Sequence, residues 1–210
     1  MTASLIFLSH IHEEKELAIS IKHAIEEEFS GFVDVFVSSD GTSVPAGANF
    51  LRRIEDRLID CVAAIYLISP VSVRRNWVNF ELGAVWVRNI MSLRTGSSEI
   101  PTISLCHSGI QPAALPLPLN NLNGILGGEA PQLESAFRSL QAAVGGRGTL
   151  KTDFFALART IQAFEKKYTL VANINNLLNL LKADKTALIA KCEEWRLYYD
   201  GNTQWGAEWQ

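Results

Sequence analysis

An α/β fold built on an open parallel sheet, with a C-terminal helical extension, is predicted by three observations. Apolar runs of strand length alternate with amphipathic stretches of helical period from Ser4 to about Leu126. The runs are short and continuously apolar, so they read as strands buried on both faces, the pattern of βαβ units. Beyond Gly145-Gly146-Arg147-Gly148, no strand-like run occurs between residues 152 and 200. With right-handed crossovers such a sheet is doubly wound, of the flavodoxin-like kind, and its ligands sit outside the carboxyl ends of the strands.

Each element has its own signal. Ser4 to Ser9 is a six-letter apolar run bounded by polar residues, too short for a helix. From Glu13 to Phe29 the period changes, with Leu17, Ile21, Ala24 and Ile25 on one face and Lys and Glu on the other. Val33 to Val37 is a second, β-branched strand, followed by a polar loop from Ser38 to Gly47 that carries Gly and Pro. A second helix starts near Ala48 or Asn49, where Phe50, Leu51, Ile54, Leu58 and Ile59 recur at helical spacing. Cys61 to Ile68 is a third strand, Arg75 to about Met91 a third helix, and Ile100 to Leu105 a fourth strand. A Pro-rich stretch, Gln111 to Pro118, precedes a short fifth strand around Leu122 to Leu126. Three helices are expected in the extension: Phe154 to Phe164, Leu170 to Leu181, and Thr186 to Tyr199. The domain boundary is placed between residues 1–148 and 149–210.

Composition excludes several classes of function. The chain has 210 residues, and 19 Lys and Arg against 22 Asp and Glu give a net charge of −3. Such a chain has no global attraction to nucleic acid or to an anionic membrane surface. Apolar residues at 48% supply a packed core and exclude a disordered chain. Cys61, Cys106 and Cys192 form no CxxC pair, so neither a disulfide scaffold nor a structural zinc site is expected, and a reducing cytoplasm fits. No basic region precedes the first apolar run, as a signal peptide requires, and no run reaches the ~20 residues of a membrane span.

Several motifs carry no chemistry. Gly145 to Thr152 lacks the GK[ST] spacing of a P-loop and follows a helix instead of a strand, so it reads as a linker. No GxSxG elbow is present. His10-x-His12 has no further ligands spaced nearby, so no metal site is expected. A phosphorylated receiver domain requires acidic residues after the first strand and an Asp ending the third, where this chain has Ser9-His10 and Ser69-Pro70.

The strongest constellation runs from Leu67-Ile68-Ser69-Pro70 to Trp77-Val78-Asn79-Phe80-Glu81-Leu82-Gly83. Trp77 and Glu81 stand at i, i+4 near a helix start, so both lie on one face at the carboxyl edge of the sheet. A carboxylate beside an indole there suits a cationic or sugar ligand. The other reading makes Trp77 a core residue and Glu81 a solvated or helix-terminus acid; spacing leaves both open. Gly83 is expected to admit a close neighbour. Trp195, Trp205 and Trp209 either dock on the chain's own core or form a self-association surface.

These residues resemble a TIR domain of the bacterial type. Phe7-Leu8-Ser9-His10 with Glu13 to Ala18 resembles the family's first box, and Val44 to Phe50 with Ile54 its long loop after the second strand. Leu67 to Pro70 resembles the end of its third strand, and Trp77-x-x-x-Glu81-Leu82-Gly83 its W-x-x-x-E-L-G segment, with Val78 where a Cys is frequent. The likeness spans residues 4 to 130, in order.

The resemblance implies cleavage of the nicotinamide–ribose bond of NAD+, with Glu81 as the catalytic residue. It extends substrate contacts to Ser9, His10, Asp40, Pro45, Gly47, Phe50, Ser69 and Trp77. Ser9 and His10 precede a helix start able to receive phosphate, and the loop around Pro45 to Phe50 either caps the site or is a plain connection. NAD+ enters as substrate and no cofactor or metal is expected. The implied product is ADP-ribose or a cyclic ADP-ribose-type messenger, in a cytoplasmic antiphage system such as Thoeris. Self-association and a separate effector are the implied partners, with no nucleic acid and no membrane. Two alternatives stand beside it: a non-catalytic TIR adaptor, against which Glu81 counts, and a nucleoside N-glycosidase or deoxyribosyltransferase, against which the Phe7 and Val44 segments count.

Overall fold

The computed structural model describes residues 3–37 and 50–180, together with Thr186 and Ala190. The chain runs β1 (Ser4–Ser9), α1 (Lys15–Glu28), β2 (Val33–Val37), α2 (Phe50–Asp60), β3 (Ala63–Ile68), α3 (Asn76–Arg94) and β4 (Thr102–Cys106). It continues through β5 (Ile125–Leu126), α4 (Ala130–Ala143) and α5 (Phe154–Leu180). All neighbouring strands pair in parallel, in the order β2-β1-β3-β4-β5. This is the flavodoxin-like α/β architecture, with a helical C-terminal region.

The continuous apolar runs of β1 and β3 are explained by helices on both sheet faces. On one face Ile6, Leu8, Val35, Ile65 and Leu67 meet Leu17, Ile21 and Ile25 of α1 and Leu133, Phe137 and Leu140 of α4. On the other, Phe7, Phe36, Tyr66 and Ile68 meet Ile54 and Leu58 of α2 and Val78, Leu82 and Val85 of α3. Fully burying such side chains is worth about 1.5–3 kcal/mol each, so these two layers dominate the favourable side of folding.

Strand β3 starts at Ala63 instead of Cys61 and β5 is confined to Ile125–Leu126, and three further elements bear comparison with the expected ones. Helix α4 is the helix expected, without stated bounds, ahead of Gly145; Leu133, Ala136, Phe137 and Leu140 form its buried stripe at i, i+3, i+4 and i+7. Helix α5 is continuous where two helices separated by residues 165–169 were expected, because Glu165, Lys166 and Lys167 are ordinary helix formers. Strand β4 begins at Thr102, two residues late, because the Asn89 side chain takes both backbone groups of Ile100, at 3.0 and 3.2 Å. The expected helix over Thr186 to Tyr199, and the three tryptophans at 195, 205 and 209, lie outside the described residues apart from Thr186 and Ala190.

Two compact units divide at Lys166 and Lys167. The first therefore takes in the opening turns of α5, whose Phe154, Leu157, Ala158 and Ile161 belong to the α1/α4 core layer. The segment ahead of α5 is tied to α1 by Glu28, whose carboxylate accepts from the backbone N–H of Lys151 and Thr152 and from the Thr152 hydroxyl. In the second unit the described chain is helix to Leu180. Among the described residues no helix is long and apolar enough to cross a membrane.

Candidate active site at the carboxyl edge of the sheet

Chain order reverses at β1, which has β2 on one side and β3 on the other. The crevice beyond the carboxyl ends of β1 and β3 is therefore the topological switch point, where open α/β sheets bind ligands. Two short turns build it. His12–Glu14 forms a 3₁₀ turn after β1, and Ser72–Arg74 another after β3. The second is locked by reciprocal serine bonds: Ser69 N–H donates to Ser72 Oγ at 2.7 Å, and Ser69 Oγ accepts from the N–H of Ser72 at 3.1 Å. Ser69 thus shapes the path into α3.

Helix α3 buries Val78, Glu81, Leu82, Val85 and Asn89. This is a helical stripe facing the sheet, and Glu81 occupies a place in it that periodicity reserves for an apolar residue. A carboxylate in such a position requires partners. Ser9 Oγ, at the end of β1, donates to its Oε2 at 2.5 Å, and Trp77 Nε1 donates to its Oε1 at 2.8 Å. Glu81 is 0% exposed. Burial pushes its carboxyl up to about 7, against the opposing pull of the Ser9 and Trp77 hydrogen bonds. The indole of Trp77 is 40% exposed and stacks on Phe80, with ring centroids 5.1 Å apart. It is the outer wall of the site.

The other expected contacts divide. His10 is buried and lies toward a second polar cluster: burial holds its imidazole down at about 4, against the nearby charge of Glu14. Glu14 is fully buried and stands 3.3 Å from Nε2 of His107, which follows β4, although the contact is not aligned as a hydrogen bond. Sequence reasoning missed this pair, because 14 and 107 have no local relation. Asp40, Pro45 and Gly47 lie outside the described residues, and Phe50 opens α2. A Cβ at Gly83 would meet nothing within 4 Å among the described residues, so none of these explains that glycine by close approach. It lines, with Leu82 and Trp86, a cleft of about 510 Å³ against Pro118 and Asn121–Asn123.

A buried carboxylate held by an indole and a hydroxyl has two chemical capacities. Ionised, it is a hydrogen-bond acceptor for a diol and a counter-charge for a developing cation. With its proton affinity near neutrality, it also exchanges a proton at low cost. Among the described residues no group of three His, Cys, Asp or Glu side chains is placed to hold a metal ion. A family model described as TIR domain matches residues 6–117 of the 210, which include the last four residues of β1, all of β2 to β4 and the whole Ser9–Trp77–Glu81 constellation. No curated protein matches the chain.

Proposed function

The chain belongs to the TIR domain family, and on that premise we propose that it cleaves the bond between nicotinamide and ribose in NAD+, with Glu81 as the catalytic residue. The observation that carries the proposal is the Glu81 carboxylate itself, buried in the apolar stripe of α3 and held between Ser9 and Trp77 at the switch point. Nicotinamide in NAD+ is cationic and departs neutral, so no strong general acid is required. The ribose passes through an oxocarbenium-like state, as in glycoside hydrolysis. An ionised carboxylate beside it stabilises that charge and accepts from the ribose hydroxyls. Access requires part of the cover over Glu81 to move, and Trp77 is its exposed member.

The product is ADP-ribose if water attacks C1′, and a cyclic species if a nucleophile of the adenine does. We assign the chain to bacterial antiphage signalling of the Thoeris kind, as a cytoplasmic enzyme whose product acts on a separate effector. We keep residues 1–148 as the TIR domain and 149–210 as an extension that supports self-association. Incubation of concentrated protein with NAD+, followed by separation of products by mass, tests the reading. Free nicotinamide with ADP-ribose, or with a species one water lighter, supports it. Glu81→Ala reduces release by about 100-fold or more. A folded Glu81→Ala chain with undiminished turnover overturns the assignment.

A second reading, an adaptor acting through TIR–TIR contacts, is favoured by one observation. Between α2 and α3 lies an apolar groove of about 560 Å³, lined by Ile59, Phe80, Val87 and Met91. Absence of nicotinamide from visibly assembled protein would decide for that reading.

A further inference from the structure

Beneath Glu81 the sheet carries a row of hydroxyls. Ser9 of β1 is paired in register with Tyr66 of β3, and Tyr66 with Ser104 of β4. Register partners in parallel strands project to the same face, here the face covered by α2 and α3. All three are buried, Tyr66 and Ser104 at 0% exposure. Ser9 gives its hydroxyl to Glu81. The hydroxyls of Tyr66 and Ser104 have no hydrogen-bond partner among the described residues. Burial and then the negative charge of Glu81 push the Tyr66 phenol well above its ordinary range, so the two groups lie within electrostatic reach.

An orphaned buried hydroxyl costs about 1–3 kcal/mol, and Phe would fill the same volume without that cost. Two neighbouring orphans on a polar row are also the setting in which a buried water is held. We propose that Tyr66 is a positioning residue for Glu81, its hydroxyl holding the carboxylate through a bound water and fixing the orientation in which it meets the ribose. The proposal rests on Glu81 being the reacting group. The other titratable groups at this edge of the sheet do not substitute for the phenol. His10, next to Ser9, answers to Glu14, Lys15 and His12. The Cys106 thiol of β4 is pushed up to about 11 by burial.

The test reads Glu81 without using turnover. In the full chain labelled with ¹³C-glutamate, the side-chain carboxyl resonance of Glu81, assigned by its loss in Glu81→Gln, is titrated in wild type and in Tyr66→Phe. The expected result is a midpoint raised by about half a unit to one unit in Tyr66→Phe, with a melting temperature equal or higher. A purely structural tyrosine leaves the midpoint where it was. An unmoved or lowered midpoint overturns the proposal. If wild type releases no nicotinamide, the NAD+ reading fails while this titration still decides whether Tyr66 acts on Glu81.

Discussion

Ser9 Oγ donates to Glu81 Oε2 at 2.5 Å, although the two residues stand 72 positions apart in the chain. The bond joins the end of β1 to α3 across the switch point, and it is the inner of the two donors on the carboxylate. Ser9 pulls the Glu81 carboxyl downward against burial. Removing it therefore raises the midpoint further. Ser9→Ala is expected to shift the acid limb of the rate profile for nicotinamide release upward by roughly one pH unit. The measurement is kcat/KM for NAD+ between pH 5 and 9; an unshifted limb contradicts the role given to Ser9.

The same carboxyl makes a prediction about stability. Its folded value, about 7, exceeds the ordinary carboxyl value of 4.5. Between these values the folded chain binds more protons than the unfolded one, so Glu81 lowers stability progressively as pH rises through the window. Glu81→Gln removes that term. The variant should equal wild type below about pH 4.5 and exceed it at pH 8, by on the order of 3 kcal/mol at most. Urea melts at the two pH values check the sign.

Glu14 and His107 test the opposite end of the edge. Both side chains are fully buried, 3.3 Å apart. Removing Glu14 takes away the acceptor of the Ile11 N–H and opens a buried space beside His107, the costly way to break a buried pair. Glu14→Ala is expected to lose about 3 kcal/mol in urea unfolding at pH 7. A loss within a few tenths of a kcal/mol would show that the pair contributes nothing to the fold.

Glu28 behaves as an ordinary paired acid. Burial would raise its carboxyl, but the hydrogen bonds from Thr152 and Lys151 win and hold it below its usual value. Its contribution is thus present above the unfolded pKa and is lost as pH falls through the folded one. Glu28→Ala should cost about 1 kcal/mol near neutrality, a modest figure because the group is partly solvated. The gap to wild type should close in acid, as followed by thermal melts from pH 7 to 3.

Much of this arrangement is legible in the sequence because it is periodic. The uniform apolarity of Leu5–Leu8 and Ala63–Ile68 marks strands with helices on both faces. The i, i+4 spacing places Trp77 beside Glu81 before any coordinates exist, and the family match follows the same segments. What periodicity does not carry is register. The alignment of Ser9 with Tyr66 and Ser104 depends on how three strands slide past one another, and the meeting of Glu14 with His107 depends on β1 and β4 ending at the same edge. The stripe of α4 is legible at Leu133, Ala136, Phe137 and Leu140, and Pro131 stands in its first turn, where a missing N–H costs nothing.

The strand order has a consequence for how the protein comes into being. Ser9, Tyr66, Trp77 and Glu81 all precede β4 in the chain, and β4, which pairs with β3, begins only at Thr102. During synthesis, β3 therefore waits with an open edge. The residues that build the site thus come first along the chain, and the strand that covers the free side of β3 comes after them.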